Sequence, residues 1–120
     1  MKSNTYKDLI VWQKACDLAV EVYSVTERLP SEEKFGLRSQ MQRAAVSIAS
    51  NIAEGSKRGT NKDFAQFIKI ALGSTAELET QALILSRLSY SKNINLDKIE
   101  ALSLEITKML HSLTKSLSGN

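Results

Sequence analysis

Residues 40–64 read QMQRAAVSIASNIAEGSKRGTNKDF, and their spacing decides the fold. Leu37, Met41, Ala44, Ile48 and Ile52 recur every three or four residues, one face of an α-helix. Ala45, Ala49 and Ala53 flank that stripe. The inward residues are small, so a neighbouring helix can come close. Arg43, Ser47, Asn51 and Glu54 form a second, polar stripe beside the apolar one. Helix propensity does not call for Ser and Asn at such positions. The stripe fits two readings: hydrogen bonding across a helix or subunit interface, or a site facing a ligand. Gly55 is then expected to close the helix. The turn GSKRGTNK carries Lys57, Arg58 and Lys62. It is not a phosphate-binding P-loop, because the spacing is wrong and no strand precedes it. Thr60 is placed to cap the next helix, with Asp63 three residues on.

Beyond that turn the pattern is the most regular in the chain. Phe64, Ile68, Ala71, Thr75, Leu78, Ala82, Leu85 and Ser89 repeat at +4, +3. Such a run predicts a long helix packed nearly antiparallel to its neighbours. Gly73 and Ser74 interrupt it with small residues. A mid-helix Gly costs about 1 kcal/mol relative to Ala, so a close helix contact is expected at Gly73. An antiparallel hairpin turning at residues 57–59 places Ser47 near Gly73 and Arg43 near Glu77. An Arg43–Glu77 contact follows as a prediction. Ser74 and Glu77 then join Arg43, Ser47, Asn51 and Glu54 in one interhelix or interface polar network.

Upstream, residues 1–8 read as an extended lead-in, with Tyr6 able to fold back over a bundle end. Trp12, Cys16, Ala19, Tyr23 and Thr26 form a +4, +3 seam, widened by Ala15 and Val22. Trp12 is read as a core anchor and Cys16 as a small buried hydrophobe. Pro30 ends this helix, and Ser31 is placed to cap a short turn. Downstream, residues 89–95 are a polar connection with Asn95 as a cap. Ile99, Leu102, Ile106, Met109, Leu113 and Leu117 stripe a last helix. His111 is read as a surface residue, and residues 118–120 as a fraying end. The expectation is an all-α, antiparallel up-down-up-down four-helix bundle in a single domain, with helices at about 9–29, 34–54, 61–89 and 96–116.

The chain has 120 residues, enough for one core. No apolar run approaches the roughly 20 residues of a membrane span. The opening MKSNTYKDL lacks a signal peptide's apolar region. Cys16 is the sole cysteine, so no internal disulfide forms. These features suit a cytoplasmic protein. The net charge of +3 is unevenly placed: residues 1–33 carry −2, residues 34–73 carry +5, and residues 74–120 carry none. The central hairpin therefore suits phosphates or an acidic partner, or is simply a solvated basic rim. Arg38, Arg43, Lys57, Arg58, Lys62 and Lys69 are the candidate nucleic-acid contacts. Val11, Val20, Ile70, Leu83, Ile84 and Leu104 lie off the seams. They exceed what one bundle core needs and suggest a homo-oligomer.

The block AAVSIASNIAEGSKR, preceded by YKDLIVWQKACDLA and followed by KDFAQFIKIALGSTAELE, resembles the 23S rRNA intervening-sequence proteins. These four-helix bundle proteins are also called S23 ribosomal proteins. The resemblance runs from about Tyr6 to Leu117. It implies a small basic helical protein assembled as a ring, typically a pentamer. The family is similar to the accessory variability determinant proteins of retroelements, pentameric barrels that bind nucleic acid and a reverse transcriptase. Members are encoded within bacterial 23S rRNA genes and elsewhere.

The residues bear on three functions. The first is a non-enzymatic, oligomeric nucleic-acid binder acting through phosphates. The alternative is a protein-interaction scaffold whose basic corner meets an acidic partner. The third is an enzyme, for which the sequence offers no catalytic set. No Arg lies four to six residues ahead of His111, no Cys/His cluster has metal-ligand spacing, and Glu77 and Glu79 face different directions. No cofactor or metal is implied.

Overall fold

A computed structural model describes residues 5–118. It contains four helices: α1 (Ile10–Thr26), α2 (Leu37–Ser56), α3 (Asn61–Ser86) and α4 (Asp97–Leu117). No strand occurs among the described residues. Each helix packs on its neighbours in the chain, and α1 packs on α4 to close the bundle. The ion pairs Lys14–Glu105 and Glu21–Lys98 show the sense of that last contact. As α1 advances from residue 14 to 21, its partner on α4 retreats from 105 to 98, so the two helices are antiparallel. The bundle measures 48 × 27 × 22 Å.

One core runs through the bundle. Leu18, Met41, Ile48, Ile52, Ile68, Leu78, Leu85, Ile99, Ile106 and Leu110 are fully buried, each contributing roughly 1.5–3 kcal/mol relative to exposure. The α3 seam is the expected one from Ile68 to Leu85: Ile68, Ala71, Thr75, Leu78, Ala82 and Leu85 are all buried, whereas Phe64 is half-buried and Ser89, exposed, lies beyond the end of the helix at Ser86. On α4, Ile99 and Ile106 face the core, while Leu102, Met109, Leu113 and Leu117 pack partly against it. Ser103 and Leu110 complete its buried face.

The α1 seam differs from the expected one. Val11, Ala15, Leu18, Val22, Val25 and Leu29 line the core, so the helix is turned by one residue. Trp12, Cys16 and Ala19 are half-buried and Tyr23 is exposed. Val11, read as an off-seam residue, is a core residue. The buried string is apolar throughout, whereas the expected one ends in amphipathic Tyr23 and polar Thr26. Trp12 sits at the core's edge with the Tyr6 ring against it, edge-on at 5.1 Å. Thr26 is buried because its hydroxyl donates to the Val22 carbonyl at 2.7 Å and accepts from Gln42 Nε2 at 3.0 Å.

The ends also differ. Residues Tyr6–Asp8 form a 3-10 turn rather than part of an extended lead-in. The lead-in expectation for residues 1–4, and fraying at residues 119 and 120, lie outside the described residues. α1 stops at Thr26, before Pro30. Pro30 itself, not Ser31, opens the short 3-10 turn Ser31–Glu33. Glu33 then caps α2, its Oε1 accepting from the Leu37 N–H at 2.8 Å. Asn95 Oδ1 accepts from the Asp97 N–H at 2.8 Å and so caps α4 as expected.

Candidate functional site

The corner between α2 and α3 is built on a glycine, but not in the expected role. Gly55 lies inside α2 rather than closing it, and it is buried. A Cβ there would stand 2.5 Å from Phe67 Cβ and 3.0 Å from Phe64 Cδ1. Gly55 therefore lets α3 lie close against the end of α2. The reversal itself falls at Gly59, whose φ of +96° suits a residue without a Cβ. Thr60 Oγ1 accepts from the Asp63 N–H at 3.1 Å and starts α3.

The cations at this corner are of two kinds. Arg58 is engaged: it reaches Glu54 Oε2 at 2.7 Å, and its guanidinium lies 4.8 Å from the centre of the Phe67 ring. Lys57, Lys62 and Lys69 are exposed and belong to none of the ion pairs found among the described residues. Lys69 lies two turns beyond Lys62, roughly 10 Å further along α3.

Arg38 and Arg43 do not join this corner. Arg38 opens α2, roughly 28 Å along its axis from Lys57. Its Nη2 donates to the Leu29 carbonyl at 2.9 Å, and its Nε is buried without a partner. Arg38 thus latches the α1–α2 connection. Arg43 is exposed halfway up α2 and donates to Ser39 Oγ at 2.8 Å. Both sit too far from the turn for helix geometry to bring them to it.

The polar stripe crosses from α2 to α3. Ser47 Oγ and Ser74 Oγ are 2.8 Å apart. Asn51 Nδ2 donates to the Ser47 carbonyl at 2.8 Å and to Ser47 Oγ at 2.9 Å. The hairpin register is thus one residue on from the expected Ser47–Gly73 match. Gly73 itself is exposed, and a Cβ there would meet nothing within 4 Å; the expected close contact is not made among the described residues. The Arg43–Glu77 ion pair does not form either. Arg43 turns to Ser39, and Glu77 Oε2 receives Gln81 Nε2 at 3.5 Å. Glu54 leaves the network for Arg58. Both Arg43 and Glu77 nevertheless line one cleft between α2 and α3, together with Gln40, Ala44, Ser47 and Ser74. Gln40 was not singled out from the sequence, although it lies one turn before Arg43 and Ala44.

Other chemistry-bearing groups stand apart. Burial, and then the neighbouring Asp17 carboxylate, push the Cys16 thiol above its ordinary value. That is the reverse of what activates a thiolate nucleophile. His111 is exposed on α4. No group of three or more His, Cys, Asp or Glu is placed to hold a metal among the described residues. No helix of the described residues is long and apolar enough to cross a membrane.

Comparison with known proteins places this architecture. A crystallised protein of unknown function from Bacteroides thetaiotaomicron, assigned to the S23 ribosomal protein family, superposes with a TM-score of 0.75 at 31% identity. The match covers 88% of this chain and 99% of that one. No curated protein matches. The sequence profile of the 23S rRNA-intervening sequence proteins matches residues 7–112. The chain therefore belongs to the 23S rRNA-intervening sequence protein family.

Proposed function

We propose that this is a non-enzymatic, cytoplasmic, oligomeric helical protein that holds nucleic acid by its phosphates at the α2–α3 corner. The observation that carries the reading is the pair of uncommitted lysines, Lys57 and Lys62, on either side of the projecting Gly59 turn. Lysine acts on phosphate as a point charge and needs no fixed geometry. Arg58, held on the Phe67 ring by Glu54, contributes less free charge. Glu54 and Asp63 offset part of the corner's charge, so a single hairpin binds weakly. Repetition around a homo-oligomeric ring, the pentamer that the family resemblance implies, multiplies weak contacts through avidity. Phe67 has its face covered by Arg58, and Phe64 is half-buried. The corner therefore offers no platform for stacking unpaired bases. Binding is backbone-directed and largely indifferent to sequence.

The test is a fluorescence-anisotropy titration with 23S rRNA fragments and duplex DNA at two salt concentrations. Affinity should fall steeply with salt. Lys57→Glu with Lys62→Glu should weaken binding at least tenfold and flatten the salt slope by about two charges per corner engaged. Affinity unchanged by that double substitution would overturn the reading.

A further inference from the structure

The polar stripe on α2 and α3 lies outside the basic corner, and its chemistry asks for a different ligand. Arg43 on α2 and Glu77 on α3 line the same cleft of about 250 Å³. Opposite charges sharing a cleft ordinarily pair. Here each is parked on a neutral side chain of its own helix: Arg43 on Ser39 and Glu77 on Gln81. The guanidinium has five N–H donors, and Ser39 takes one of its groups. One turn nearer the corner, Ser47 and Ser74 line the same cleft. Asn51 already donates to Ser47 Oγ. The two hydroxyls share one hydrogen bond, whichever of them donates. Two hydroxyl protons and one Ser–Ser bond leave one proton with no acceptor among the described residues. That proton and the Arg43 guanidinium form a donor set suited to a carboxylate. The Glu77 carboxylate opposite suits an ammonium group.

The geometry points to a binding site for a small zwitterion, a molecule carrying a carboxylate and an amine a few bonds apart, as amino acids do. Size agrees: pockets for larger organic ligands run roughly 300–1,000 Å³, and this cleft is smaller. Either charge alone leaves one wall of the cleft unmatched. The inference is independent of nucleic-acid binding, because neither Lys57 nor Lys62 takes part.

The test is isothermal titration calorimetry on the full chain with glycine, β-alanine and 4-aminobutyrate, which separate the two charges by increasing distances. Acetate and methylamine serve as single-charge controls. At least one zwitterion should bind saturably below about 10 mM, and each control at least tenfold more weakly. Arg43→Met and Glu77→Gln, both at exposed positions, should each weaken that binding at least tenfold with the circular-dichroism melt retained. Lys57→Glu with Lys62→Glu should leave it intact. No saturable binding by any of the three zwitterions overturns the site. So does equal binding by a control, or binding that survives both substitutions.

Discussion

Gly55 and Gly73 are the same residue type with opposite consequences. At Gly55 a methyl group meets the Phe67 side chain at 2.5 Å and Phe64 at 3.0 Å. Gly55→Ala forces α2 and α3 apart next to the basic corner and should lower stability by roughly 1–3 kcal/mol. At Gly73 a methyl group meets nothing within the chain. Gly73→Ala removes a flexible residue from an exposed helix interior and should raise the stability of the isolated chain by roughly 0.5–1 kcal/mol. Urea denaturation of both variants, at a dilution where light scattering gives a single chain, checks the pair; shifts of the same sign would refute the assignment. The sequence marks both glycines as unusual but puts the close helix contact at Gly73 instead of Gly55. A glycine before a polar turn has the local signature of a cap, and only the path of α3 shows that the helix continues through it. The charge of the corner, in contrast, is legible because Lys57, Arg58 and Lys62 are local in the chain. The engagement of Arg38 by the Leu29 carbonyl crosses a connection and leaves no local trace.

At the scale of the helices, legibility depends on how many faces are apolar. α3 reads correctly along Ile68–Leu85 because its buried seam repeats without a rival. α1 carries two competing strings one residue apart, which differ by a rotation of about 100°. Large aromatics at Trp12 and Tyr23 favour the wrong string when size is weighed. Tyr is amphipathic, however, and sits at an edge where its hydroxyl stays wet. The α2–α3 contact was legible as polar but not in its partners, since hairpin register shifts with each added turn residue. Its energetics can be tested directly. Ser47→Ala leaves Ser74 without its partner, and Ser74→Ala removes one of the two partners of Ser47 Oγ, which keeps the Asn51 amide. Each should cost roughly 1–3 kcal/mol, and the double variant clearly less than the sum, because the Ser47–Ser74 bond can be lost only once. A double-mutant cycle by chemical denaturation measures the coupling. Strict additivity would mean that the Ser47–Ser74 bond contributes nothing.

At the scale of the whole molecule, the surface retains more apolar area than a solitary bundle needs. Val20 on α1 is 70% exposed, and Leu104 on α4 is 54% exposed. On α3, Ile70, Leu83 and Ile84 are each about half exposed. Ile70, Gly73, Thr80 and Ile84 recur at helical spacing on the side of α3 away from the core. Gly73, at which a Cβ would meet nothing within 4 Å among the described residues, sits in the middle of that strip. A second copy lying across it would gain apolar burial from Ile70 and Ile84 and close approach at Gly73. Ile70→Lys with Ile84→Lys should abolish such an assembly without disturbing the core seam of Ile68, Leu78 and Leu85. Light scattering should then give the wild-type chain a multiple of 13.3 kDa and the variant 13.3 kDa itself, with unchanged helical circular dichroism. Nucleic-acid affinity should fall along with the mass although Lys57 and Lys62 remain, because avidity is lost when the corners separate. A wild-type chain that scatters as 13.3 kDa would remove the oligomer. A variant that keeps its mass would move the contact to the faces bearing Val20 and Leu104.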